Sequence, residues 1–163
     1  AIPFYLINQG ETPLNQHWSI YLPVLVVSLI FIVPMIIFSE KKNKVKEFFM
    51  FSIALLFVTQ FLFIYCSNGI VGIVMALTFY FIGFNYLEAS LPSLVSKLAP
   101  IQRRGLALGV YNTSQSLGIF VGGSFGGLIA NFYGYQGTFL FCSLLIMIWF
   151  ILSISMKTPI NNK

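Results

Sequence analysis

A chain of 163 residues that is 58% hydrophobic and only 8% charged cannot clothe a soluble surface, and its mean hydropathy of +0.88 agrees. It reads as an all-α integral membrane protein. The net charge of +5 could suit a nucleic acid, but the basic residues lie in short loops between long apolar runs, which marks topology rather than a nucleic-acid patch.

There is no aspartate, and His17 is the only histidine. That removes most routes to a metal site or an acid–base pair, so no catalytic residue, metal or cofactor is expected and the chain is not read as an enzyme. Cys66 and Cys142 are too few for a disulfide framework and read as free, packed thiols.

Residues 1–6, AIPFYL, are apolar but have neither an initiator Met nor a positive flank, so they do not form a signal peptide. They resemble the tail of a preceding helix, and the chain is expected to be a fragment. A polar loop follows, ending at Trp18. The first complete span is expected over about 19–38, with Pro23 in its first turns and Pro34 deeper, where a kink is expected. At ~1.5 Å per residue it covers a ~30 Å hydrocarbon core. After the charged turn 39–47 come spans over about 48–66 and 70–96, joined by a tight turn. Pro100 and a basic hinge of Lys97, Arg103 and Arg104 separate the third span from a fourth over about 106–130. The turn NFYGYQ leads into a fifth over about 137–156, and the tail after it is polar.

All nine Lys and Arg fall in alternate segments: four in 39–47, three in 97–104 and two in the tail. The positive-inside rule makes these segments and the C-terminus cytoplasmic. Trp18, Tyr21, Tyr65, Tyr133 and Tyr135 gather at the opposite interface. Five spans then enter from outside and end inside, and one helix before Ala1 would restore a six-helix unit.

Glu88 is the one acidic residue outside the loops, with Asn85 nearly a turn before it. A carboxylate in a membrane span is costly and is turned inward or paired, so Glu88 is either a proton-coupling or substrate site or a structural group near the inner interface. It lies ~13 Å along the helix axis from Lys97. Asn85, Asn112, Gln115 and Ser116 are further polar groups within spans, and each suits a helix–helix hydrogen bond or a ligand contact. Gly118, Gly122 and Gly126 form one stripe and Gly123 and Gly127 a second. They fit either ordinary close helix packing or a sliding contact between two moving halves. Two motif matches carry nothing. Gly122–Gly126 has the G-x-S-x-G spacing without a strand-to-helix elbow, and the sequon at Asn112 lies inside a span.

Three stretches, HWSIYLPVLVVS, NYLEASLPSLVSKLAP and RRGLALGVYNTSQSLGIFVGG, make the chain resemble the C-terminal half of a major facilitator superfamily transporter, from the end of the seventh helix through the twelfth, within the bacterial YajR-type efflux branch. The resemblance implies five helices of a six-helix half-bundle. Glu40, Lys41 and Lys44 match the charged positions of the family's loop signature in its degenerate second copy, with Asn43 where the glycine would stand. Such loops latch the two halves, and the helices here over 19–38 and 106–130 would face the other half. The implied partners are the lipid bilayer, an N-terminal six-helix half, a small-molecule substrate and protons. The implied activity is proton-coupled export of a small organic compound by alternating access. Glu88 would carry the proton, and Asn85 and Asn112 would line the cavity. The rival reading is a non-transporting fragment or assembly module that packs through its glycine-striped helix.

Overall fold

The computed structural model describes residues 18–65 and 69–156. The expected remnant of a preceding helix, the loop with His17, Cys66, the turn at Ser67 and Asn68, and the polar tail from Lys157 lie outside the described residues.

The described residues form an all-α bundle: α1 Trp18–Lys41, α2 Val45–Tyr65, α3 Ile70–Leu98, a 3-10 turn Ile101–Arg103 and α4 Arg104–Ile154. All four helices are long and apolar enough to cross a membrane. Helix α1 runs through Pro23 and Pro34, and α3 through Pro92. Helix α3 opens after Gly69, whose φ of 97° an L side chain would resist. It closes at Ala99, held in the extended region (φ −76°, ψ 141°) by the proline that follows.

Fifty-one residues of α4 would measure ~77 Å as one rod, more than twice a ~30 Å core. The element is in fact two arms, 104–133 and 135–154, because Gly134 alone leaves helical geometry with φ 67° and ψ −168°. Only glycine takes that conformation without strain. Gly137, one turn on, is also required, since a Cβ there would collide with that of Tyr133. The expected loop between the last two spans is thus compressed to a single residue, which gives five rods among the described residues.

Two apolar clusters set the direction of each rod. Ile20, Val24, Phe63, Ile73, Leu77 and Phe139 pack together at one end, where Phe63 stacks on Phe139 with centroids 5.2 Å apart. Phe49, Ile53, Leu56, Leu87 and Leu94 form the other cluster, joined by Ile146, Trp149 and Phe150, with Phe49 edge-on to Trp149 at 5.9 Å. Starts of α1 and α3 therefore meet the end of α2 and the start of the second arm of α4, so successive helices are antiparallel. Lys46 Nζ donates to the carbonyl of Ile154 at 2.8 Å, and Lys97 bonds Glu40 at 2.8 Å. These contacts gather the α1–α2 loop, the hinge and the end of α4 at the second cluster. The exposed rings of Trp18, Tyr65 and Tyr133 stand at the other end, as amphipathic rings do at an interface.

With little hydrophobic drive between helices in lipid, close approach matters. Ser28, Ser52 and Thr59 are fully buried, and each hydroxyl is satisfied by a carbonyl of its own helix (Leu25, Phe48 and Leu56) at 2.7–2.9 Å. At Gly83 a Cβ would stand 3.0 Å from the Ser52 carbonyl, so α2 and α3 touch backbone to backbone there.

Helix α1 ends in a left-handed turn at Asn43. Lys44 N–H donates to Ser39 O at 2.9 Å and Asn43 N–H to Glu40 O at 3.1 Å, while Asn43 adopts φ 53°. This is the left-handed cap that glycine favours and asparagine tolerates. Asn43 therefore takes the conformation that a glycine would take at this position. Asn43→Gly should leave the unfolding midpoint in detergent unchanged or slightly raised. Asn43→Val should lower stability by about 1–2 kcal/mol; equal midpoints for the two variants would contradict the cap.

Candidate functional site

The polar residues singled out in the spans lie on α3 and the first arm of α4. Pro100 stops α3, the 3-10 turn reverses the chain, and 104–133 returns alongside. That return sets Gln115 opposite Glu88, and Gln115 Nε2 donates to Glu88 Oε1 at 2.8 Å. Both residues are legible in the sequence as polar groups within spans, but their pairing is not, because it depends on the register across the hinge. Helix α3 stays continuous through Pro92, so Lys97 is held away from Glu88 and bonds Glu40 instead.

Glu88 is exposed, and so is nearly all of the first arm apart from a narrow strip of half-buried residues that includes Tyr111 and Gln115. A carboxylate on the open side of a membrane helix must meet water or protein, since a charge facing acyl chains is costly. The exposed Asn112 lies on the same arm, a turn before Gln115. Asn85 turns elsewhere. Its Nδ2 donates to the buried Ser28 hydroxyl at 3.4 Å, a long bond that ties α3 to α1.

At the basic end, the three loop residues have distinct contacts. Glu40 pairs with Lys97 of α3, and Lys44 with Glu47 at 2.9 Å, while Lys41 has no ion-pair partner among the described residues. Both bridges lie within this chain and both are about half exposed, where such pairs contribute roughly 0–1 kcal/mol. The glycine stripe is open: a Cβ at Gly118, Gly122 or Gly126 would meet nothing within 4 Å, and the same holds at Gly123 and Gly127. Cys142 is a free, half-buried thiol.

The sequence reading missed a second polar set. Tyr86, Ser90, Ser93 and Lys97 stand at helical spacing along α3 and line a cavity against Ser39 and Glu40 of α1. Their i, i+4, i+7, i+11 register was the available signal.

Comparison with known proteins gives the family. The profile of the Major Facilitator Superfamily matches residues 1–162. The inner membrane transport protein YajR of Escherichia coli K12 is 37% identical over 159 residues, covering 98% of this chain and 35% of that protein. An uncharacterized transporter of Buchnera aphidicola from Baizongia pistaciae is 30% identical over 136 residues, 83% of this chain and 34% of the relative. The chain spans about a third of the length of these relatives. An all-α bundle of membrane-length helices, matched over nearly its whole length, belongs to the major facilitator superfamily.

Proposed function

We propose that this chain is the C-terminal part of a secondary active transporter of the inner membrane that exports a small organic compound in exchange for protons. It transports rather than catalyses, and it works by alternating access against an N-terminal six-helix half. Glu88 carries the proton, with Gln115 holding the carboxylate and Asn112 and Asn85 supplying polar groups at or behind the cavity. The glycine stripe packs on the partner half, and Lys41, Lys44 and Glu40 set the charge of the cytoplasmic gate.

The observation that supports this most is the Glu88–Gln115 pair on the exposed face of two membrane-length helices. A carboxylate held by a neutral amide can gain or lose a proton without losing its partner, because the amide offers both a donor and an acceptor. The open glycine stripe also fits a membrane assembly module. Reconstitution separates the two readings. The complete protein in liposomes should accumulate substrate against its gradient when a proton gradient is imposed, whereas this chain by itself should move none. Transport by the chain alone would refute the need for a partner half, and no transport by either would favour the assembly module.

A further inference from the structure

The first arm of α4 stands apart from the rest of the described chain. Helices α1, α2 and α3 and the second arm each place side chains in the apolar clusters, whereas residues 104–133 place none there. No residue of that arm is buried. The buried residues of α4, which are Thr138, Phe139, Ser143 and Ser153, all lie beyond Gly134. One side-chain hydrogen bond crosses from the arm to the other helices among the described residues, from Gln115 to Glu88 at 2.8 Å. The hydroxyls of Thr113, Ser114, Ser116 and Ser124 turn back to carbonyls of the arm itself.

The two attachments of the arm differ. At one end the single residue Gly134 joins it to the second arm, with φ 67° and ψ −168°, a region of backbone space that only glycine occupies without strain. At the basic end residues 99–103 separate Leu98 of α3 from Arg104. Ala99 there is extended, and Arg103 leaves helical geometry with φ −118° and ψ 10°. A linker of that length can reach up to ~17 Å. A helix keeps its shape through its own backbone hydrogen bonds, but its position is set by what packs against it. Elements with few buried contacts move at least cost, and close-packed ones resist. We propose that residues 104–133 work as a lever that pivots at Gly134, its basic end swinging within the reach of 99–103. The Gln115–Glu88 bond is the catch that holds it in the position found in this structure. Helices α1, α2, α3 and the second arm form the body it moves against, since the two clusters run through them. The lever goes beyond the transport reading above and needs neither the proton nor the substrate assigned there.

Distances between pairs of spin labels in the complete protein, held in lipid nanodiscs, test the lever. The native cysteines, Cys66 and Cys142 among them, are first replaced by serine. Val58 of α2 is the reference and is paired in turn with Leu29 of α1, Leu128 and Val110, all four of them exposed. Along the arm Val110 lies ~36 Å from Gly134 and Leu128 ~9 Å, so the spread of distances at Val110 should be about four times that at Leu128. The Val58–Leu29 distribution, within the body, should be narrow. Gln115→Leu opens the catch and should widen the Val110 distribution further. Gly134→Ala sets a Cβ on a backbone at φ 67°, which L side chains rarely adopt, and should shift the mean distance more at Val110 than at Leu128. An unchanged Val58–Leu29 distance shows that each variant is folded. Distributions at Val110 and Leu128 as narrow as that within the body would overturn the proposal. So would an equal spread at the two, which puts no pivot at Gly134, or a Gly134→Ala protein with the parental distances.

Discussion

Glu88→Gln in the complete transporter should abolish proton-driven accumulation while leaving gradient-free exchange of substrate intact. Glutamine at this position can still accept the Gln115 amide proton through its carbonyl oxygen, so the 2.8 Å link between α3 and α4 survives. What is lost is the ability to exist in two protonation states. Gradient-driven flux should therefore fall to the level of gradient-free exchange. Glu88→Asp keeps a titratable group but withdraws it by one methylene from Gln115, and should retain partial coupling. Gln115→Leu provides a second arm: it removes the holding amide without touching the carboxylate and should weaken coupling less than Glu88→Gln. The assay is flux in proteoliposomes with and without an imposed proton gradient. If Glu88→Gln changes neither flux, Glu88 is a structural residue and the proton site lies elsewhere.

The rods were legible in the sequence because hydropathy in lipid is a strong signal. Where spans are expected over 19–38, 48–66 and 70–96, helices run over Trp18–Lys41, Val45–Tyr65 and Ile70–Leu98, with charged residues continuing a helix beyond its apolar core. The last turn was legible in position but not in kind. NFYGYQ read as a short polar loop, yet one glycine with φ 67° breaks the helix there and both neighbours remain helical. Composition cannot register a single dihedral.

Pairings were the least legible part. Glu40 and Lys97 are 57 positions apart in the chain, and Glu88 and Gln115 are 27 apart. Each residue could be flagged as polar in an apolar setting, but partners follow from how rods dock. Small residues such as Gly83 and Ser52 decide that docking, and they carry no hydropathy signal. Tyr86 shows the same limit: an aromatic residue inside an apolar run reads as core. Only its place on the wall of the α1–α3 cavity in the packed structure sets it apart.

Gly122→Leu should abolish transport by the complete protein while leaving this chain as stable as before, or more so. In this chain nothing lies within 4 Å of where a Cβ would stand at Gly118, Gly122 or Gly126, so a side chain leaves the backbone there into open space. Helix propensity favours it, since glycine in a helix interior costs about 0.8–1 kcal/mol relative to the best formers. Any loss of function must then come from a surface outside the chain that needs the glycine to approach. Gly83→Leu is the control, because a Cβ there already stands 3.0 Å from the Ser52 carbonyl. It should destabilise the chain and the complete protein alike. Two measurements decide the matter: unfolding midpoint in detergent for the chain with each substitution, and substrate flux for the complete protein. A Gly122→Leu protein that transports at the parental rate would place the stripe against lipid, and the partner half would have to dock on another face. A Gly122→Leu chain that unfolds as early as Gly83→Leu would mean the stripe is packed within this bundle.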